Sequence, residues 1–194
     1  MSNIYFTSDL HFGHSNIIKY DNRPFGSKEE MDDVLISRWN NKVNNDDTVY
    51  ILGDISWYPD AKTVEIYSGL NGHKHLIKGN HDRIHGKVRD CFESIKDYDE
   101  IKINNNTLVL SHYPIHFYNH HYNNAIMLYG HVHNSREENL VRQIADSLNS
   151  LDNPCPVRMY NVGCMLWGYE PVTLEEILAN GNKEPFADTG RKHE

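Results

Sequence analysis

Apolar and polar positions in this chain recur with two periods, about 2 and about 3.6, and the switches between them delimit the elements. Ile4-Tyr5-Phe6-Thr7 is β-rich and reads as a buried strand running into the polar loop Ser8-Asp9-Leu10-His11-Phe12-Gly13-His14. Ser27-Lys28-Glu29-Glu30 has the form of a capping box. Met31, Val34, Leu35 and Trp39 then recur at helical spacing, which predicts a helix from about Lys28 to Lys42 with its apolar stripe in the core. After the turn Asn44-Asn45-Asp46-Asp47, Thr48 to Leu52 is a second buried strand, ending at Gly53-Asp54. Ala61 to Leu70 is helical and closed by Asn71-Gly72. A third strand, His75 to Lys78, ends at Gly79-Asn80-His81-Asp82, where glycine predicts a tight turn needing φ freedom.

Further on, Ile101-Lys102-Ile103 and Leu108-Val109-Leu110 flank three asparagines and read as a β-hairpin ending at Ser111-His112. Ala125 to Tyr129 is a strand ending at Gly130-His131-Val132-His133. Leu140 to Leu148 is helical, Val157 to Val162 a late strand, and Thr173-Leu174-Glu175-Glu176 a second capping box. From Asn180 the chain is polar, and a frayed tail is expected over about 181–194. No repeat or interdomain linker interrupts the chain, so residues 1–194 read as a single domain of α/β class.

The 194 residues, 39% of them hydrophobic, suffice for one domain with one sizeable core. No run approaches the roughly 18 apolar residues that span a bilayer, so no membrane partner is expected. Met1-Ser2-Asn3-Ile4 runs straight into a strand-like segment with no basic region or cleavage signal, so no targeting leader is expected. Cys91, Cys155 and Cys164 lack metal-site spacing and read as thiols of a reducing cytosol, so a cytoplasmic protein is expected. A net charge of −8 argues against a broad grip on long nucleic acid or anionic membrane. It leaves room for a small anionic substrate held by bound cations.

The 13 histidines sharpen the picture. Five predicted strands each end in side chains of ligand type: Asp9 and His11; Asp54; Asn80 and His81; His112; His131 and His133. In open α/β sheets, ligands bind outside the carboxyl ends of the strands. Each residue taken alone reads as well as a hydrogen-bonded structural residue; it is the repetition that points to one crevice.

These blocks resemble the calcineurin-like metallophosphoesterases, whose signature runs D-x-H, G-D, G-N-H-[DE], a lone H and G-H-x-H. All five occur here in that order, within residues 4–133, and Asn161-Val162-Gly163 is similar to the family's closing strand. The resemblance implies a four-layer α/β (α+β) fold, a β-sandwich of mixed sheets flanked by helices. It implies two divalent or transition-metal ions, one on Asp9, His11 and His133, the other on Asn80, His112 and His131, with Asp54 between them. Two cations about 3.5–4 Å apart need such a shared carboxylate. Imidazole and oxygen ligands suit Mn, Fe, Zn or Ni. The implied reaction is attack on phosphorus by a hydroxide bridging the metals, with His81 as general acid and Asp82 orienting or polarising it.

The substrate expected is a small phosphoester, a nucleotide-type phosphodiester first, with a phosphomonoester or a non-catalytic metal-binding scaffold as alternatives. Protein Ser/Thr phosphatases of this superfamily extend the second block to G-D-x-x-D-R-G, whereas this chain continues Ile55-Ser56-Trp57-Tyr58-Pro59. His14 either reaches the phosphate or caps the next helix. Arg23 either binds phosphate or is a solvated turn residue. Tyr113 opens an aromatic and histidine-rich loop, residues 113–122, that either stacks on a base or buries itself against the body.

Overall fold

In this chain, alternation along the strands places apolar residues on both faces, and both faces are covered. The computed structural model describes residues 2–151 and 155–180. In chain order its elements are β1 (Ile4–Thr7), α1 (Ser15–Tyr20), α2 (Lys28–Lys42), β2 (Thr48–Ile51), α3 (Asp60–Gly69), β3 (His73–Ile77) and β4 (Ser94–Lys96). Then come β5 (Tyr98–Ile103), β6 (Asn106–Ser111), β7 (Ile126–Tyr129), α4 (Arg136–Ser150), β8 (Arg158–Asn161), β9 (Val172–Thr173) and α5 (Leu174–Asn180).

The strands form two mixed sheets, ordered β4-β3-β2-β1-β9 and β5-β6-β7-β8. β1 to β4 are mutually parallel and β9 is antiparallel to β1. β6, β7 and β8 are parallel, with β5 folded back on β6 through the predicted hairpin, whose Asn104 takes a left-handed φ of 53°. Between the sheets lie Phe6, Leu52, Ile77, Leu108, Leu110, Ile126 and Leu128. Their neighbours of opposite parity, Tyr5, Val49, Ile51 and Leu76, face Leu35, Trp39 and Ile66 of α2 and α3. On the far side Val109, Met127 and Tyr129 meet Val141 of α4. The result is four layers, helix–sheet–sheet–helix, as expected. Burial of each large apolar side chain contributes about 1.5–3 kcal/mol.

The two capping boxes close differently. At α5, Thr173 Oγ1 accepts the Glu176 N–H at 3.2 Å, and the Glu176 carboxylate accepts the Thr173 N–H at 2.7 Å. At α2, Ser27 Oγ accepts the Glu30 N–H at 3.1 Å, but the Glu30 carboxylate reaches Gly26 N–H instead. α4 is longer than the pattern predicts, because Ser135, five residues before the first apolar repeat at Leu140, caps it by accepting the Glu137 N–H. Asn180 closes α5, and the frayed tail expected over about 181–194 lies outside the described residues. No helix among the described residues is long and apolar enough to cross a membrane.

Candidate metal centre

Parallel pairing makes the carboxyl ends of β1, β2 and β3 emerge on one edge, and those of β6 and β7 on the matching edge of the second sheet. The two edges are stitched together. Ser8 N–H donates to Val162 O and Cys164 N–H to Ser8 O, both at 3.0 Å, joining the ends of β1 and β8, while within the second sheet Gly130 N–H donates to His112 O at 3.0 Å. The stitching leaves almost no room between chains. A Cβ on Gly79 would stand 2.6 Å from Asp54 N, and one on Gly130 would stand 2.5 Å from Asp9 Oδ2. The need at Gly79 is therefore space. Its φ is not left-handed, contrary to the sequence reading, whereas that of Gly53 is, at +89°.

Side chains enter this narrow edge from strained backbone. Asp9, His11, Asp54, His131 and His133 all have φ between 50° and 70°. A non-glycine residue there costs roughly 1–2 kcal/mol, and such residues gather at functional sites. The surrounding network holds them. Asp9 N–H donates to Gly53 O and His11 N–H to Asp54 O, each at 3.0 Å. Arg23 donates to the carbonyls of Asp9 (2.8 Å) and Leu10 (3.1 Å).

The ligand atoms of Asp9, His11, Asp54 and His133 all lie within 4.8 Å of one another, and all four residues are buried. His11 Nε2 is 3.3 Å from His133 Nε2 and 3.5 Å from Asp54 Oδ2; His133 Nε2 is 3.5 Å from Asp9 Oδ1. His133 Nδ1 contacts the Asp21 carboxylate at 2.8 and 2.9 Å, which assigns its proton to Nδ1 and leaves a lone pair on Nε2. A second group adjoins. Asn80 Oδ1 is 3.0 Å from both His112 Nε2 and His131 Nδ1, and His112 Nε2 is 3.6 Å from Asp54 Oδ2. His112 Nδ1 donates to Leu52 O at 2.7 Å, so its Nε2 also presents a lone pair to oxygen acceptors.

Acceptors aimed at acceptors in a buried site are stable only with positive charge between them. The donor set, imidazole nitrogen with carboxylate and amide oxygen, is one that divalent transition ions accept. The residues present therefore fit the implied metals. Burial raises the Asp54 carboxyl well above the ordinary value, and the charge of Asp9 adds to the effect. Burial and neighbouring His133 push His11 down. Burial also pulls His133 down, but Asp21 and Asp9 outweigh it and the ring lies above its ordinary value.

The remaining predicted residues divide. His81 is exposed, its ring centroid 5.9 Å from that of His11 and 4.6 Å from Trp57. Burial of the ring and the nearby His112 lower its pKa. Asp82 makes no hydrogen bond to the His81 ring among the described residues, though its charge favours the protonated ring. Its carboxylate accepts the N–H groups of Gly79 (2.7 Å), Ile55 (2.8 Å) and Asp54 (3.1 Å), tying the β3 turn to the β2 turn. His14 forms no side-chain cap on α1; it stacks on Trp57 with centroids 4.1 Å apart. Arg23 departs from both readings: it is buried, and its guanidinium is spent on Asp21 and two carbonyls. Tyr113 stays at the rim, its ring 4.6 Å from His131. The aromatic loop splits, with Tyr118 buried on the carbonyls of Ala125 and Arg158 and Phe117 and Tyr122 exposed. Sequence reasoning missed Asp21, and gave no site role to Asn161 of the closing strand, whose amide donates to the His133 carbonyl at 3.0 Å.

Two mixed sheets flanked by helices, with buried aspartates and histidines at their facing strand ends, define a calcineurin-like phosphoesterase fold carrying a candidate metal site. The calcineurin-like phosphoesterase superfamily domain matches residues 3–164, and the chain belongs to that superfamily. It is 36% identical over 181 residues to an uncharacterised protein of Methanocaldococcus jannaschii, covering 92% of this chain and 90% of that one. It is 40% identical over 101 residues to the gene 66 protein of Mycobacterium phage L5, about half of each chain (50% and 48%). A solved structure of a protein of unknown function from Aquifex aeolicus has a TM-score of 0.73 at 26% identity, covering 92% of this chain and 99% of that one.

Proposed function

We propose that this protein is a metal-dependent hydrolase of small phosphoesters, with nucleotide-type phosphodiesters preferred, working with two ions in the cytoplasm. The observation that carries the reading is the orientation of His112 and His133. Each ring donates its Nδ1 proton backwards, to Leu52 O and to Asp21, and turns a bare Nε2 into an acidic pocket. Asp9, His11 and His133 would hold one ion, Asn80, His112 and His131 the other, and Asp54 would face both. Bound there, such ions supply a water acidic enough to attack phosphorus and a positive field for the phosphoryl oxygens.

The chain's own residues supply the rest. His81 stands outside the ligand cluster on the same edge and delivers the proton to the leaving oxygen. Its lowered pKa favours the neutral ring in the ligand-free state, and an anionic ester beside it supplies the opposite bias. Asp82 acts on backbone, fixing the turns that carry Asp54 and Asn80. Tyr113 forms one wall above His131, where a substrate would enter. Cys91, Cys155 and Cys164 form no disulfide among the described residues, which suits the reducing compartment assumed in this reading.

The test is hydrolysis of bis-p-nitrophenyl phosphate against p-nitrophenyl phosphate with Mn, Ni, Zn and Mg in turn. Faster diester hydrolysis is expected. Faster monoester hydrolysis would reassign the protein as a phosphomonoesterase. Metal binding without turnover on either ester would make it a scaffold.

A further inference from the structure

The segments that follow Asp54 and Asn80 face each other across a cavity of about 350 Å³, lined among others by Ser56, Trp57, Asp60, Asn80, His81 and Arg83. This is within the roughly 300–1,000 Å³ range of small-molecule clefts. His81, the proposed acid, stands in its lining. None of Ser56, Trp57, Asp60 and Arg83 belongs to the metal cluster.

Three features give the cavity a chemistry. Trp57 is 47% exposed, yet its position is fixed: its backbone N–H donates to Phe12 O at 2.8 Å, and His14 lies flat on one face of its ring, with planes 8° apart. A braced indole with free surface is a stacking platform for any planar base. Arg83 forms no ion pair among the described residues, so its guanidinium is available to a phosphate, which it matches with two parallel N–H donors. Asp60, in the first turn of α3, offers a carboxylate to hydroxyl donors. Base, phosphate and hydroxyl groups together make a nucleotide.

We propose that this cavity is the leaving-group site, and that the leaving group is a nucleotide, its base against Trp57 and its own phosphate at Arg83. The inference rests on the phosphodiesterase reading above and names the substrate class for it. In the reaction, water forms the new P–O bond, the P–O bond to the ribose oxygen breaks, and that oxygen takes a proton from His81. His14 is a positioning residue, acting only through the Trp57 ring.

The full-length, Mn-loaded protein tests this through inhibition of bis-p-nitrophenyl phosphate hydrolysis by AMP, adenosine and ribose 5-phosphate. AMP is expected to bind on the order of tenfold more tightly than ribose 5-phosphate, through the base, and on the order of tenfold more tightly than adenosine, through the phosphate. Trp57→Ala should erase the first advantage and Arg83→Gln the second. His14→Ala should diminish the first, and His14→Phe, which can still stack, should restore it. Equal binding of AMP and ribose 5-phosphate overturns the proposal. So does an AMP-over-adenosine advantage that survives Arg83→Gln, since the phosphate would then sit elsewhere. Were no ester hydrolysed with any metal, the phosphoesterase reading would fall, and calorimetric titration of the same three ligands would decide the cavity's ligand on its own.

Discussion

Asp21 shows how much of a site can hang on a residue outside every motif. It is almost fully buried, and its carboxylate bridges His133 Nδ1 and Arg23, whose other donors hold the carbonyls of Asp9 and Leu10. Burial works against its charge, but His133 and Arg23 outweigh that and bring its pKa down to about 2. A carboxylate behind a ligating histidine fixes the tautomer and raises the basicity of the far nitrogen, and its loss typically costs 10–100-fold in metal affinity. On the two-ion reading proposed above, Asp21→Asn is therefore expected to weaken one of the two calorimetric metal-binding steps by that factor and spare the step that would belong to His112 and Asn80. Equal weakening of both steps would reduce Asp21 to a structural ion pair with Arg23. His81 carries the opposite expectation. His81→Ala should keep both metals and lose about 10²–10⁴-fold in turnover on an alkyl phosphodiester, with a smaller loss on a p-nitrophenyl ester, whose leaving group needs no proton. Full turnover of the alkyl diester would remove the acid role. Aspartates and histidines beside glycine at strand ends were legible because each block carries its own local pattern. Asp21 and Arg23 were not, because Asp21-Asn22-Arg23-Pro24 has the composition of an ordinary surface turn, and only the fold reveals that the Asp21 and Arg23 side chains turn inward beneath the loop that follows β1.

The strands and helices that carry the site follow the hydrophobic pattern closely, and the departures have a common physical cause. α1 spans six residues with only Ile17 buried, and β4 and β9 span three and two, all too short for either period to repeat. Their pairing comes from neighbours: Phe6 and Tyr5 of β1 hold β9 in register, and β3 holds β4. The turn between α2 and β2 is the counter-example, an element junction written in one side chain. Asp47 is buried and accepts the N–H groups of Asn3 (2.7 Å) and Asn44 (2.8 Å), fastening the start of β1 to the end of α2. Burial raises its pKa, but these donors outweigh it, so the folded value lies below the ordinary 3.8. A depressed carboxyl contributes stability that is present above the unfolded pKa of about 3.9 and lost as pH falls through the folded value. Asp47→Asn is thus expected to lose about 1–3 kcal/mol near pH 7 through weakened pairing of buried donors. The gap from wild type should narrow as the pH falls below about 4. Urea unfolding at pH 7 and pH 3 measures it, and a gap that stays constant would place the stabilisation in shape and not in charge.

At the scale of the whole molecule, the fold sets stability against a candidate metal site. Two sheets with parallel strand ends on the same edge bring Asp9 and Asp54 together among imidazole lone pairs, all within 4.8 Å, with Asp9 and Asp54 at most 2% exposed. Unfolding relieves that crowding, so without cations it works against the folded state. Ligands that bind only the folded state reverse the balance: at 100 times the dissociation constant, one ion adds about 2.7 kcal/mol. For a chain of this size that is roughly 5–10 °C in Tm. Asp54→Asn separates the two effects. An asparagine keeps the oxygen that accepts the His81 N–H and presents an amide donor where Asp54 Oδ2 now faces His11 and His112. In EDTA, the variant is expected to melt above the wild type, because a buried charge has been replaced by a donor that pairs with the lone pairs around it. In saturating Mn or Zn the order should invert, because the carboxylate facing both groups of ligands is gone. Differential scanning calorimetry of the two proteins, with chelator and with metal, gives four melting temperatures. Curves that do not cross would mean that the crowded aspartates and histidines at these strand ends are not held together by cations.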